Sequence, residues 1–380
     1  AFGKHMLDVL AGHESYSYNY DNLYAFKTTE VFEGKTNLSN FTEMNTLTGY
    51  ETNYKTESYL GRVRYNYADK YNLEVSFRRD GSSRFYKNNR WGNFGSIGAN
   101  WLISEEEFMK SLTVVDQLKL RANYGQVGND AGAGYYGYMA LYAGSQNANA
   151  GAYYLTQNEA LNLKWETGES FGFALEGRLF NRLNFSVEYF DKRNKDLLFD
   201  VYLPLSAGAT STSSAEATIA KNLGTISNRG LEVNANVDVY KSKKWLVNLG
   251  TNISLVKNKV VKLPEQNKDG IISGIYKIVE GKSRYEFYLY TFEGVDQLTG
   301  NSLYKTNLDD YYITLADGSK LGNAESGTDI TSNVKLIDDT YYVNNTTYAK
   351  KELHGSALPK VYGSFTGTVS YKSLTLSTLL

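Results

Sequence analysis

The stretch from Asn228 to Val256 alternates with a period of two. Leu231, Val233, Ala235, Val237 and Val239 are apolar, and Glu232, Asn234, Asn236 and Asp238 between them are polar. After a basic turn, Lys241 to Lys244, the alternation resumes with Trp245, Val247, Leu249 and Ile253 against Asn248, Gly250, Asn252 and Ser254. Successive side chains on a strand point to opposite faces, so this period predicts a β-hairpin with one wholly polar and one uncharged apolar face. Each arm runs for roughly ten residues, the length a tilted strand needs to cross a bilayer.

The same pattern recurs along the chain. It predicts strands over 4–18, 58–67, 71–78, 91–103, 118–124, 165–179, 183–194, 361–371 and 374–380. Between them lie polar or glycine-rich segments expected as loops: a Tyr- and Thr-rich one up to about Tyr54, the stretch Gly128–Leu163, a Ser/Thr/Ala stretch Phe199–Asn222, and a long excursion Lys257–Pro359. Within the excursion, Arg284–Val295 and Ser302–Lys305 read as a hairpin over Asp296-Gln297-Leu298-Thr299-Gly300. The one helix signal is Ser104-Glu105-Glu106-Glu107, a capping-box spacing followed by Phe108, Met109 and Leu112.

Connections alternate between short (Ala68–Lys70, Phe180–Arg182, Lys241–Lys244, Lys372–Ser373) and long. Outer-membrane barrels carry short periplasmic turns and long outer loops. The pattern therefore predicts an all-β fold, an antiparallel transmembrane β-barrel with long extracellular loops. It gives about eleven crossing strands, an odd number, so this set is expected to need at least one further strand to close. Ala1-Phe2-Gly3-Lys4 has no signal-peptide pattern and Leu379-Leu380 falls inside a strand, so the expectation is one stretch, residues 1–380, of a larger barrel domain.

Composition narrows the chemistry. No apolar run of about 18 residues is present, which removes a transmembrane helix and says nothing against strands. A formal net charge of −1 provides no basic field for nucleic acid. Cysteine is absent, which removes disulfides and thiol chemistry. Three prolines leave long strands uninterrupted, and 33 tyrosines suit both strands and membrane interfaces.

Motifs that name a chemistry do not gather into a site. Gly132-Ala133-Gly134-Tyr135-Tyr136-Gly137 matches GxGxxG but lacks the flanking strand and helix of a dinucleotide fold, and reads as a loop. Asn267-Lys268-Asp269-Gly270 lacks the acidic opening and closing residues of a calcium loop. His5, His13 and His354 have neither metal nor triad spacing. No enzyme, cofactor or metal site is expected. Tyr135, Tyr136, Tyr138, Tyr142, Tyr153 and Tyr154 crowd one outer loop. Aromatic faces there suit sugar rings or peptide side chains, or the packing of loops on one another; composition leaves both open. Arg78, Arg79, Asp80 and Arg84 stand at an outer strand rim, where charge-assisted hydrogen bonds would order the loop. The polar strand face, including Glu176, Glu188, Glu232, Asn234, Asn236 and Asn252, reads as a solvated lumen.

Phe77-Arg78-Arg79-Asp80-Gly81-Ser82-Ser83-Arg84-Phe85, with Asn89-Arg90-Trp91-Gly92, resembles the SusC/RagA family of TonB-dependent outer-membrane transporters. Further pieces follow in family order: Leu118-Lys119-Leu120-Arg121-Ala122, Tyr124-Gly125, Gly128-Asn129, Leu163-Lys164-Trp165-Glu166, Lys195-Asp196-Leu197-Leu198, Asn228-Arg229-Gly230-Leu231-Glu232, Lys257-Asn258-Lys259-Val260, Pro359-Lys360-Val361-Tyr362-Gly363 and Ser370-Tyr371-Lys372. The resemblance implies a barrel of roughly 22 strands with an N-terminal plug, of which this chain would be about half. It also implies a SusD-like surface lipoprotein lid, energy from TonB, a glycan or peptide substrate, and a bacterial outer membrane as the site. The plug and terminal strands would lie outside this sequence.

On this reading Leu231, Val233, Val237, Val247, Leu249 and Ile253 face lipid. A lysine at Val237 is expected to impair barrel insertion, the penalty reaching about 2–4 kcal/mol at mid-bilayer depth, whereas a lysine at Asn236 is expected to be tolerated. Heat-modifiable gel mobility of the membrane-inserted barrel reads both variants; equal tolerance would contradict the assignment of faces.

Overall fold

The computed structural model describes residues 2–148, 150–202 and 218–380. Eleven strands form one sheet in chain order: β1 (His5–Glu30), β2 (Phe41–Tyr67), β3 (Tyr71–Ser82), β4 (Trp91–Leu102), β5 (Val115–Asn129), β6 (Glu166–Leu179), β7 (Leu183–Tyr202), β8 (Thr218–Lys241), β9 (Trp245–Lys262), β10 (Val361–Tyr371) and β11 (Leu374–Leu379). These are the eleven strands the alternation predicts. Neighbours pair antiparallel wherever the register is described. Short turns gather at one end of the sheet and long connections at the other. Two of the short turns place both central residues at positive φ without glycine, Ala68 with Asp69 and Phe180 with Asn181. In each, three residues separate the last paired positions, Tyr67↔Tyr71 and Leu179↔Leu183, and the left-handed pair matches the right-handed twist of the flanking strands.

Register aligns chemistry across the strands. Val9, Val63, Val75, Ile97, Tyr124 and Phe171 stand opposite one another from β1 to β6. On the other face, Met6, Asn66, Asn72, Asn100, Arg121, Ala174, Glu188 and Glu232 form a second row reaching β8. The exposure is inverted relative to a water-soluble sheet. In β3 the apolar residues Leu73, Val75 and Phe77 are 41%, 43% and 54% exposed, while Asn72, Glu74 and Arg78 between them are half-buried. A soluble sandwich would bury the apolar row against a second sheet; here it stands open, as a lipid-facing surface must.

The apolar row has aromatic borders. At the short-turn end, Tyr71 lies between Tyr67 and Trp101, with ring centroids 6.3 Å apart in both pairs, and Trp245 packs on Tyr371 at 4.5 Å. At the other end Arg79 sits over the Trp91 ring at 5.2 Å and Tyr59 lies beside Trp91. Tyr71 to Arg79 is eight residue steps, about 26 Å along the strand, or about 20 Å of membrane height at a tilt near 40°. That is close to the band of roughly 25 Å such barrels present.

Residues Val256–Val361 form a second compact unit. Its core is Ile313, Ile330, Val343 and Ala349, with Tyr304, Leu308 and Tyr348 packed around them. Phe292–Val295 pairs with Ser302–Lys305 over the expected turn. Asp296 fixes that turn: its carboxylate accepts hydrogen bonds from the Leu298 amide at 3.0 Å, the Thr299 hydroxyl at 2.6 Å and the Lys335 ammonium. Lys335 first, then Thr299, holds the Asp296 carboxyl well below the usual carboxylate range. The preceding part of the expected arm behaves differently, since Glu286–Tyr290 pairs with Lys351–Ser356 instead.

Three loop expectations change. The Tyr- and Thr-rich stretch up to Tyr54 is not a loop: β1 and β2 pair continuously from His5↔Tyr67 to Glu30↔Phe41, with one bulge after Phe26. Its polar side chains are compatible with a ribbon whose two faces both lie outside lipid. The helix at Ser104 reduces to two 3₁₀ turns, Ile103–Glu105 and Glu107–Met109, and no side chain caps either N-terminus. Glu106, extended at φ −79° and ψ 148°, separates them, and its carboxylate is taken by Tyr71 Oη at 2.6 Å and Trp101 Nε1 at 3.1 Å. The Gly128–Leu163 stretch contains a hairpin, Leu141–Asn147 with Ala150–Gln157. Of the Phe199–Asn222 segment, β7 takes the residues up to Tyr202 and β8 those from Thr218, and the rest lies outside the described residues.

Gly230, in the Asn-Arg-Gly-Leu-Glu entry to β8, has a packing reason. Phe190 stands between Gly172 and Gly230 in register and is 7% exposed. A Cβ on Gly230 would lie 2.3 Å from the Leu255 carbonyl oxygen and 2.5 Å from the Phe190 ring. Gly230→Ala is therefore expected to destabilise the sheet by about 1–3 kcal/mol through overpacking. Thermal unfolding of the refolded barrel measures this; an unchanged midpoint would contradict the packing assignment.

Candidate functional site

The polar face is a bonded wall. Asn66 donates to Asn72 at 2.6 Å and Asn72 to Asn100 at 2.9 Å. Arg121 donates from Nε to Glu176 at 3.1 Å and from Nη2 to Glu188 at 2.8 Å, and Lys119 reaches Glu176 at 2.6 Å. Further along, Asn236 exchanges hydrogen bonds with Asn248 at 2.8 Å, and Asn252 donates to Ser364 at 2.8 Å. Asn234 is exposed, and Glu232 stands directly across from Glu188. A concavity of about 690 Å³ opens on this wall, lined by Arg64, Asn72, Glu74, Asn100 and Arg121 among others. Half-exposed pairs like these add little stability. Their consequence is a face of fixed donors and acceptors that a polar solute can exchange with water. Among the described residues no group of three or more His, Asp or Glu side chains could hold a metal ion.

The rim quartet does not converge. Arg78 and Asp80 share the polar face: Arg78 donates to Asp80 at 2.6 Å, to Glu14 at 3.0 Å and to Ser58 at 2.9 Å. They border a second concavity of about 620 Å³ with Ser76, Phe94 and Lys192. Arg79, one residue out of phase, turns to the opposite face and Trp91. Arg84 lies in the following loop, its guanidinium set against the faces of Tyr54 and Tyr135 at 4.7 and 4.5 Å, in the corner made by the two edge-to-face rings. It donates to the Ala131 carbonyl at 2.9 Å and pairs with the Asp130 carboxylate at 3.7 Å.

Asp130 is the hub that the motif itself does not contain. Its Oδ2 accepts from Tyr54 Oη at 2.8 Å and Ser82 Oγ at 2.6 Å. Burial, with Asp130 accepting the phenol hydrogen, pushes Tyr54 up to about 12. Beside it Phe85, fully buried, packs with Ala133, Ala160, Leu163 and Trp165. The Asp-Gly-Ser-Ser-Arg-Phe segment therefore pins the loop after β5 onto β2 and β3. Asp130 directly follows the Gly128-Asn129 pair, which is the sequence signal that could have pointed to it.

The six loop tyrosines separate in the same way. Tyr135 joins the arginine stack, the Tyr136 hydroxyl accepts from the Asn53 amide at 2.9 Å, and Tyr138 packs near Tyr86 with centroids 5.9 Å apart. Tyr142 and Tyr153 meet edge to face at 5.8 Å on the short hairpin and are 60% and 80% exposed. Tyr154 stands across from Ala143 in the same hairpin.

Because a lysine ammonium cannot reproduce a planar guanidinium that contacts two rings while donating to the Ala131 carbonyl, Arg84→Ala and Arg84→Lys are both expected to loosen the loop after Asp130. Limited proteolysis of the inserted barrel should cut there at least several-fold faster with the gel-shifted barrel intact. Protection equal to the unsubstituted protein in Arg84→Lys would contradict a stacking role.

Comparison with known proteins agrees with this geometry. Residues 4–277 match the family model for the TonB dependent receptor-like β-barrel. TonB-dependent receptor P39 of Formosa agariphila is 34% identical over 304 residues, covering 77% of this chain and 28% of that protein. TonB-dependent receptor SusC of Bacteroides thetaiotaomicron is 28% identical over 271 residues, covering 69% of this chain and 26% of that protein. Among solved structures, the RagAB peptide transporter superposes with a TM-score of 0.74 at 25% identity, covering 99% of this chain and 39% of the matched one. The chain thus spans under two fifths of the length of these relatives. It belongs to the TonB-dependent receptor β-barrel family, as an antiparallel outer-membrane wall of the SusC/RagA type.

Proposed function

We propose that the protein is a nutrient importer: these eleven strands are part of the wall of a TonB-dependent transporter that brings oligosaccharides or oligopeptides across the outer membrane. The observation that carries this is the pairing of an open apolar face with an opposite face on which Asn66, Asn72 and Asn100, and Arg121 with Glu176 and Glu188, are joined by hydrogen bonds. A lipid-facing surface and a water-lined interior on opposite sides of the same strands make the wall of a conduit. A plug and the remaining strands would complete the barrel elsewhere in the protein, residues 1–380 being one stretch of that single domain. A SusD-like lipoprotein would cover the long-loop end, where the concavity beside Arg78 and Asp80 and the loop tyrosines lie. TonB would supply the energy through the plug. The solved relative is described as a peptide transporter, which favours a lidded importer over an open pore. On this proposal the solute passes unchanged, with no bond made or broken and no cofactor taking part.

The test is uptake in the native host. Deleting the gene is expected to abolish growth on one glycan or peptide source, and complementation in a strain lacking TonB is expected to fail. Uptake at an unchanged rate without TonB would contradict the proposal and indicate a passive pore.

A further inference from the structure

β1 and β2 continue to pair well past the membrane band, and the extension is two-faced. On β1, Tyr16, Tyr18, Tyr20, Tyr24 and Phe26 occupy every second position, interrupted only by Asn22. Opposite them on β2 stand Tyr50 and Tyr54, separated and flanked by Thr46, Thr48, Thr52 and Thr56. These are the positions in phase with Arg62 and Arg64, so the row continues the polar-wall side of the sheet outward. The other face of the ribbon carries the charges Asp21, Glu51 and Lys55. The aromatic face, from Tyr16 to Phe26 over ten residue steps or about 33 Å, carries none.

The rings form a ladder. Tyr18 stacks on Tyr20 with centroids 6.4 Å apart, and Tyr135 stacks on Tyr18 from the neighbouring loop at 6.3 Å. Tyr54 meets Tyr16 at 6.2 Å and Tyr135 at 5.8 Å, and Tyr50 meets Tyr20 at 5.9 Å. The ladder is open to solvent: Tyr16, Tyr20, Tyr24, Phe26 and Tyr50 all count among the exposed large side chains. Below it, the Arg84 clamp holds Tyr54 and Tyr135 in place. Asn22 donates to the Tyr20 hydroxyl at 3.3 Å, so amide and hydroxyl groups lie beside the ring faces.

We propose that this ribbon is a binding platform for a neutral oligosaccharide. Five exposed aromatic rings, backed by Tyr18 and Tyr54, offer surfaces on which the C–H faces of sugar rings stack with little loss of side-chain freedom. Four threonines and Asn22 interleave them as hydroxyl and amide partners for sugar hydroxyls. From Tyr16 to Phe26 the face carries no formal charge, and the charges that border it, Arg84 and Glu14, are already paired with Asp130 and Arg78, so it suits a neutral polyhydroxylated chain better than a charged peptide, an acidic sugar or a phosphate. The assignment deepens the importer reading by choosing glycan over peptide, yet binding at the ribbon needs neither TonB nor transport.

The test uses the full-length protein in detergent and calorimetric titration with maltohexaose, cellohexaose, xylohexaose and mannohexaose, with a neutral hexapeptide as the counter-probe. At least one hexasaccharide is expected to bind saturably, and the peptide is not. Tyr20→Ala and Tyr50→Ala, both on exposed rings, are expected to weaken that binding tenfold or more, and Tyr20→Phe to stay within about threefold, with the gel-shifted barrel retained throughout. Absence of binding by all four sugars would overturn the proposal. So would unchanged affinity in the alanine variants, or a loss in those variants of lipoprotein association in place of sugar affinity. Binding that persists while import fails would leave the platform standing and count against the importer reading alone.

Discussion

The backbone of a strand in hydrocarbon has no water to satisfy it, so each amide and carbonyl must be paired laterally with another strand. Everything else in the sheet follows from that requirement. Pairing in chain order through short turns keeps neighbouring strands antiparallel. The fixed register then carries each side-chain choice across the whole wall. One valine in β1 faces a valine in β2, a valine in β3 and an isoleucine in β4, and the asparagine–arginine–glutamate row behind them is aligned by the same pairings. A slip of one residue in any strand would put Glu74 or Arg64 into lipid.

Above the membrane the solvent changes and so does the design. Polar side chains are allowed on both faces, and order must come from specific contacts. Around the loop after β5 the structure supplies them through an acidic hub, Asp130, serving Tyr54, Ser82 and Arg84, over a fully buried Phe85. An ion pair of this kind, desolvated and hydrogen-bonded at several points, fixes one arrangement of the loop more than it adds stability. The long ribbon of β1 and β2 rests beside it, with the Tyr135 ring against both Tyr18 and Tyr54. Local rigidity at the clamp thus extends to an exposed aromatic surface.

The membrane-spanning part was legible in residues such as Leu73, Val75 and Phe77 because lipid enforces strict alternation, and alternation is a sequence property. The ribbon above was not: with water on both sides, Thr46, Thr48 and Thr52 look like loop residues, although they pair as regularly as the valines below. Ser104-Glu105-Glu106-Glu107 failed for a related reason. Its spacing suits a capped helix, but Tyr71 and Trp101 hold the Glu106 carboxylate with that residue's backbone extended, and Glu107 of the box pairs with Lys110 instead of capping. The rim motif was visible as a cluster of charges, yet adjacency in sequence hid its division among two faces and a loop. Asp130 lies about 50 residues from Arg84 and Ser82, and only the fold brings them together.

One face of the strands meets lipid and the other meets water. Site-directed spin labels at Val75 and at Ser76, adjacent residues on β3, test it most directly in the protein inserted in outer-membrane vesicles. The label at position 75 should be relaxed by dissolved oxygen and shielded from a water-soluble nickel chelate, and the label at 76 should show the reverse. Equal accessibility to the chelate at both positions, or protection of both from both reagents, would rule out a lipid face and a water face on the same strand.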